Sequence, residues 1–332
     1  MSAELVMLIP PGPGGVRDYA EVMATHVRTR LLAATPDTPL ADYGDGDILL
    51  HFSGYGYQSR GVPTWLVQRL RQLKSKPRRI GVYFHELFAS GPPWRSAFWL
   101  HAVQRKIAVD LVRLADFWMT NRQTSETWLD GHSSRVPRAR LPVISNVGEP
   151  DLIAVRDRRK VVVFGGAASR ALAYQAMDEQ FWQWCAAGAL EVHDVGPAIA
   201  PDLERQLRET HDIRWHGLLP AYEVSRVLVD ASFGVLRYAP DEVAKSGIFA
   251  AYCAHGICPV LLARDYPVHD GLRANEHYIA GASALGAHAP NAQQIGMQAR
   301  DWYLPHRAEA HAEALKSLLG MSSARALSPS SS

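Results

Sequence analysis

Cysteine is scarce in this sequence, net charge is small and long apolar runs are missing. Each shortage closes off a class of protein. Cys185, Cys253 and Cys258 are the three cysteines among 332 residues. Their number is odd and their spacing suits neither a zinc site nor a redox pair, so they are read as reduced core thiols, and a disulfide scaffold is excluded. The formal net charge is +2. A balance so close to neutral offers no electrostatic footprint for nucleic acid, and no DNA- or RNA-binding module signature accompanies it. No apolar stretch approaches the roughly 20 residues of a membrane span, and Met1-Ser2-Ala3-Glu4 is not the positively charged start of a secretory leader. The expectation is a cytoplasmic protein without nucleic acid as a partner. Histidine, cysteine and carboxylate residues do not cluster at ligand spacing, so no metal is expected. The one Asp-x-Asp, Asp45-Gly46-Asp47, leads from a turn into a strand and reads as turn chemistry.

What is present is the composition of a globular protein, with 47% apolar and 20% charged residues. The length exceeds the size at which one core usually stops growing, so two domains are expected. Leu5-Val6-Met7-Leu8-Ile9 is a short apolar run broken by Pro10-Pro11-Gly12-Pro13-Gly14-Gly15, as when a buried parallel strand enters a loop. Apolar positions at helical spacing then predict a helix over 16–32. The pattern continues with strands at 47–52, 79–84 and 116–120 and helices at 62–73, 94–114 and from Ser125. Between 148 and 160 the period lapses and Asp157-Arg158-Arg159-Lys160 has the composition of a linker. A second series follows, with strands at 161–164, 191–195, 213–216, 233–236 and 257–262 and helices at 222–229 and 248–254. Two further helices, 292–303 and one ending at Leu319, flank Pro305, and the serine-rich tail from Arg325 is expected to be disordered. This alternation predicts an α/β protein of two doubly wound Rossmann-like domains facing a cleft, the first over 1–150, the second over 151–320, with a tail over 321–332.

Candidate site residues gather at the ends of predicted strands. Gly14 and Gly15 stand between the first strand and first helix, where backbone N–H groups can approach a phosphate; the alternative is a tight connection and nothing more. Gly165-Gly166-Ala167-Ala168-Ser169-Arg170 repeats the arrangement, with Arg170 either pairing with a diphosphate or lying on the surface. The densest segment is 238–247, where Lys245, Ser246 and Gly247 precede an apolar helix and converge on an anion site. The bland alternative is that Ser246 caps the helix and Lys245 is solvated. His85 and Glu86 directly follow a strand, where the imidazole can move a proton or hold a sugar hydroxyl. Residues 65–79 place Arg69, Arg71, Lys74, Lys76, Arg78 and Arg79 beside Leu66, Val67, Leu70 and Leu73. Such a stretch either rests on an anionic bilayer or is the solvated face of a surface helix.

In order, these segments resemble retaining GT-B glycosyltransferases of the family 4 type over nearly the whole chain. Gly14-Gly15-Val16-Arg17-Asp18-Tyr19 is similar to that family's glycine loop, His85-Glu86 to its histidine–acid pair, and Ile144-Ser145-Asn146-Val147-Gly148 to the turn closing its first domain. Val163-Phe164-Gly165-Gly166 is similar to the strand and loop that open its second. The run from Trp215-His216-Gly217 through 231–236 to Ala254-His255-Gly256 resembles its donor-binding half, and the last two helices resemble those that return to its first domain.

The resemblance implies an acceptor-binding first domain and a nucleotide-sugar-binding second one. It implies a UDP- or GDP-linked sugar as co-substrate, with no further cofactor and no metal, and a glycan, small-molecule or lipid-linked acceptor. The diphosphate would fall to Lys245, Ser246, Gly247, Arg170, Gly14 and Gly15, and the nucleotide to His216, Gly217 and Glu242. His85 and Glu86 would be catalytic, in a metal-independent, hexosyltransferase-like reaction of glycan, polysaccharide or glycoconjugate biosynthesis. One departure stands out. The family's E-x7-E arrangement would place its ribose-binding glutamate at Ala251, and Glu242 lies one residue from the first glutamate's place. A non-catalytic nucleotide-sugar-binding partner subunit and a sugar-nucleotide epimerase are therefore alternative readings.

Overall fold

A computed structural model describes residues 4–89, 94, 96–133, 135–151 and 159–321. The chain divides into two compact units. One holds the residues up to Leu141 together with those from Ala308 onward, the other Pro142–Arg307.

The first unit is built on strands β1 (Leu5–Ile9), β2 (Thr29–Ala33), β3 (Ile48–Phe52), β4 (Ile80–Phe84), β5 (Phe117–Thr120) and β6 (Arg138–Arg140). All are parallel, in the order β2-β1-β3-β4-β5-β6. Every residue of β1, β3, β4 and β5 is buried. A parallel sheet covered on both faces requires such unbroken apolar runs. Its helices are α1 (Gly15–His26), α2 (Gly54–Tyr57), α3 (Thr64–Leu73), α4 (Ser96–Leu114) and α5 (Gln123–Asp130). The helix expected over 16–32 stops at His26, because Thr29–Ala33 forms the ladder of β2 beside β1. Strand order reverses between β1 and β3, which makes the carboxyl ends of these two strands a topological switch point.

The second unit carries β7 (Lys160–Phe164), α6 (Ala167–Ala176), α7 (Glu179–Ala187), β8 (Glu191–Val195), α8 (Pro201–Thr210), β9 (Ile213–Trp215), α9 (Ala221–Val229) and β10 (Phe233–Arg237). It continues with α10 (Gly247–Ala254), β11 (Cys258–Leu262), β12 (Ile279–Ala280), α11 (Leu285–His288) and α12 (Ala292–Tyr303). Its parallel sheet runs β12-β11-β10-β7-β8-β9, the dinucleotide-fold order, with the switch point between β7 and β10. The three cysteines are buried and free, as the composition predicts.

The last helix, α13 (Ala308–Leu318), belongs to the first unit; the bounds 151–320 put it in the second domain, while the family resemblance has it return to the first. It buries Ala308, His311, Ala312 and Leu315, and His311 Nδ1 lies 2.7 Å from the Tyr19 hydroxyl of α1. The boundary between the units falls after Leu141, ahead of the expected 150. Residues 152–158, most of the expected linker, and the tail from Arg325 lie outside the described residues.

The apolar side of 65–79 faces the core of its own domain and not a bilayer. Leu66, Val67, Leu70 and Leu73 are all buried in the first core. At roughly 1.5–3 kcal/mol each they stabilise the fold and are not available to enter lipid. The cations are engaged as well: Arg69 donates to the Pro36 carbonyl, Lys74 pairs with Asp116, Lys76 with Asp45 and Arg79 with Asp47.

β4 and β5 meet with Gly81 opposite Phe117. A methyl group on Gly81 would sit 2.1 Å from Phe117 Cζ. Gly81→Ala should therefore lower stability by about 1–3 kcal/mol, the cost of overpacking a filled core. The urea midpoint should fall at an unchanged slope, and Phe117→Leu in the same chain should restore part of the loss.

Candidate functional site

In the second unit the residues singled out by sequence converge on the switch point. Gly165 ends β7 with φ +129°, and a Cβ there would lie 2.5 Å from Ile248 Cδ1 in the first turn of α10. The glycine therefore lets α10 close against the β7 loop, bringing Gly165-Gly166 and Lys245-Ser246-Gly247 together. Ser246 is the N-cap of α10, its hydroxyl accepting the Phe249 N–H at 3.2 Å. Its O–H can still donate. Lys245 Nζ lies 3.2 Å from Glu242 Oε2, with the lysine side chain 15% exposed. Space is open at the two following glycines: a Cβ on Gly166 would meet nothing within 4 Å, and one on Gly247 only Asn146 Oδ1 at 4.0 Å.

Arg170 is turned away from this opening. It is 1% exposed, its Nε donates to the Gly165 carbonyl at 2.9 Å, and Nη1 pairs with the buried Asp194. The Tyr174 hydroxyl donates to the same carboxylate at 2.8 Å. Burial pushes Asp194 up, and Arg170 and Tyr174 pull it back down. Arg170 thus shapes the β7 loop from below and does not offer a guanidinium to a diphosphate, because both its hydrogen-bonded nitrogens point into the fold.

The loops after β7, β8 and β9 are laced together. Gly165 N–H donates to Val195 O at 3.1 Å, and Gly196 N–H to Gly217 O at 2.9 Å. Gly217 has φ +69° and open space where its side chain would be. His216, expected at the nucleotide, instead holds its Nε2 2.9 Å from His193 Nδ1. Ala251 is fully buried in α10, so no carboxylate stands at the ribose glutamate's place.

In the first unit, Gly14 and Gly15 follow β1 at the switch point. Gly14 has φ +143°, a backbone that needs glycine, and its carbonyl accepts from Arg17 N–H at 2.9 Å. The neighbouring loop after β3 is in contact, since a Cβ on Gly56 would lie 2.8 Å from the Pro10 ring. Ser53 Oγ donates to Glu86 Oε2 at 3.2 Å. His85 is 7% exposed, and its Nε2 lies 3.0 Å from Nδ1 of His51 on β3. His51 is fully buried and its Nε2 has no partner. An orphaned buried N–H is rarer than a bare lone pair, so the network assigns the His51 proton to Nδ1, donating to His85 Nε2. His85 then carries its own proton on Nδ1, and that N–H is what it can offer to a ligand. Sequence reasoning missed His51, whose one signal was a polar residue inside the apolar run Ile48-Leu49-Leu50-His51-Phe52.

Asp45 and Asp47 pair with Lys76 and Arg79. Among the described residues no group of three or more histidine, cysteine or acidic side chains comes together as a metal site.

The chain matches no protein-family model and no curated protein sequence. Solved structures do match. One is sucrose-phosphate synthase from Thermosynechococcus elongatus, at TM-score 0.58 and 15% identity over 96% of this chain and 99% of that one. Another is an alpha-glucosyltransferase in complex with UDP and a 13-mer DNA, at 0.59 and 9% over 97% and 99%. The GtfA/B complex matches at 0.53 and 12% over 83% of this chain and 57% of that one. The fold is GT-B. In GT-B terms the first unit is the amino-terminal Rossmann-like domain and the second the carboxyl-terminal one.

Burial holds His51 down at about 3, and His85 well below its ordinary value, with His51 and His311 adding to the effect. Both are neutral in the fold, while the unfolded chain takes up protons near pH 6.5. Their contribution is therefore complete above about pH 6.5 and lost as pH falls toward the folded values. Urea midpoints should drop steadily from pH 7 to pH 4. His51→Asn, whose amide nitrogen falls where Nδ1 lies and keeps a donor toward His85 without titrating, should flatten that decline by up to about 1.4 kcal/mol per pH unit.

Proposed function

We propose that the protein is a glycosyltransferase that moves a sugar from a nucleotide-sugar donor to an acceptor hydroxyl. One observation carries this reading: the fold is GT-B, and the switch point of its carboxyl-terminal domain joins the open loop Gly165-Gly166 to Lys245, Ser246 and the amino end of α10. Backbone N–H groups, a hydroxyl and an ammonium there suit the diphosphate of a UDP- or GDP-linked sugar. Lys245 would exchange Glu242 for the more highly charged phosphate. Stabilising the departing diphosphate lowers the barrier as the bond to the anomeric carbon breaks.

On the amino-terminal domain, Gly14, Gly15, His85 and Glu86 would meet the sugar and acceptor. With its proton on Nδ1, His85 would donate a hydrogen bond to a sugar oxygen, a positioning task and not that of a base. Retention follows from the family resemblance: the acceptor oxygen bonds to the anomeric carbon on the face the phosphate leaves, and its proton passes to the departing phosphate oxygen. Neither step requires a metal. Nucleotide contacts by Gly217 and Glu242, a place in glycan or glycoconjugate biosynthesis, and a lipid-linked acceptor belong to the same reading.

A non-catalytic nucleotide-sugar-binding subunit is the second reading, favoured by Ala251 where the ribose glutamate would stand. Release of free UDP or GDP from a panel of nucleotide sugars separates the two. A transferase releases nucleoside diphosphate only when an acceptor is supplied, and the rate should survive EDTA. Loss of turnover restored by manganese would refute the metal-independent part, and binding without any release would favour the partner subunit.

Lys245→Ala should weaken donor binding by about 1.5–3 kcal/mol, the usual worth of a hydrogen bond between charged groups, with the fold retained. Calorimetric titration of wild type and variant reads this directly. Equal affinities would return the lysine to its ion pair with Glu242 alone and move the phosphate to Gly14-Gly15.

A further inference from the structure

A cavity of about 300 Å³ opens in the second unit between β7, β8, β9 and α9, with His216 and Leu219 of the loop after β9 also in its wall. Its wall includes Lys160, the first residue of β7, at the opposite end of that strand from Gly165. His193 and Arg214 stand side by side on β8 and β9, and α9 contributes Glu223 and Arg226.

The wall carries three cations, Lys160, Arg214 and Arg226, against two carboxylates, Glu223 and Asp230. Lys160 Nζ is 3.4 Å from Asp230, and Glu223 accepts the Tyr222 hydroxyl at 2.8 Å. Arg214 and Arg226 have neither a hydrogen bond nor an ion pair among the described residues. His193 is 3% exposed and is held at both nitrogens, by His216 at 2.9 Å and by Glu191 at 3.3 Å. Burial lowers His216, Arg214 and Lys160 lower it further, and Asp194 raises it in part. Arg214 and Arg226 both line this open hollow from the surface, and guanidinium forks fit an oxyanion with several acceptor oxygens better than they fit a carboxamide or a cation.

We propose that this cavity binds a phosphate dianion, either free inorganic phosphate or the phosphate group of a small metabolite, through Arg214 and Arg226, with Lys160 supporting from the strand end. The site is distinct from the anion site proposed at Gly165-Gly166 and Lys245-Ser246, and does not rest on glycosyl transfer being the activity.

The test titrates inorganic phosphate into the full chain by calorimetry at constant ionic strength, with UDP in excess to occupy the donor loops. One saturable site is expected, and the His193 and His216 imidazole signals should shift in NMR spectra as it fills. Arg214→Ala and Arg226→Ala should each weaken binding about tenfold, the scale of one charge-assisted hydrogen bond, and Lys245→Ala should leave it unchanged. Both arginines lie at the surface, so the variants should fold. Glycerol 3-phosphate in place of inorganic phosphate distinguishes the sources: tighter binding assigns the site to a phosphorylated metabolite, equal or weaker binding to free phosphate. Absence of saturable binding, or an affinity unaltered in both arginine variants, would overturn the proposal. So would phosphate binding that UDP abolishes and Lys245→Ala weakens, because the anion would then sit on the donor loops.

Discussion

A sealed ion pair organises the carboxyl-terminal domain. Arg170 and Asp194 lie beneath the loops after β7 and β8, each 1% exposed at the side chain. Removing one partner of such a pair typically costs 3–5 kcal/mol, because the other charge is left buried and uncompensated. The pair also dictates backbone shape. Arg170 Nε is bound to Gly165 O, and Gly196, with φ +152°, has no room for a side chain: its Cβ would fall 2.2 Å from Gly165 O and 2.6 Å from Arg170 Nε. Two glycines thus let two strand ends meet backbone to backbone over one guanidinium. From that meeting follow the inward turn of Gly165, the approach of Ile248 and the position of α10, whose amino end carries Ser246.

The amino-terminal domain reaches a comparable result without charge. Around His85 the partners are His51, Tyr83 and Tyr19, with ring centroids 4.1 to 5.3 Å away, and Tyr19 is bonded in turn to His311 of α13. Burial keeps His51 and His85 neutral, so the network holds its geometry through hydrogen bonds and ring packing and loses it when they are protonated. His311 is fully buried there, and without α13 the Tyr19 hydroxyl would lose its partner.

The contrast bears on what each half can do. A strut built on a salt bridge fixes a loop rigidly and leaves its outer face, here Gly166 and Gly247, free for an anion. A neutral imidazole whose proton is set by its neighbour presents one defined donor, which suits recognition of an uncharged hydroxyl better than it suits binding of phosphate.

Much of this was legible in the residues themselves. Unbroken apolar pentads, glycine-rich turns after them and helical spacing beyond are local signals, so the sequence alone determined the strand–loop–helix alternation, the doubly wound class, and the placing of His85 and Gly165 after strands and of Gly14 and Lys245 before helices. The tertiary structure decided the rest. Whether Arg170 faces out to a ligand or in to Asp194 depends on β8 lying beside β7, a pairing set by strand order and not by any spacing along the chain. Whether 65–79 offers an apolar face to solvent depends on Leu66 and Leu70 finding the core, and the tautomer of His85 depends on His51, 34 residues away on the next strand. Period and composition act between neighbours in sequence, whereas burial, charge pairing and proton position are decided between neighbours in space.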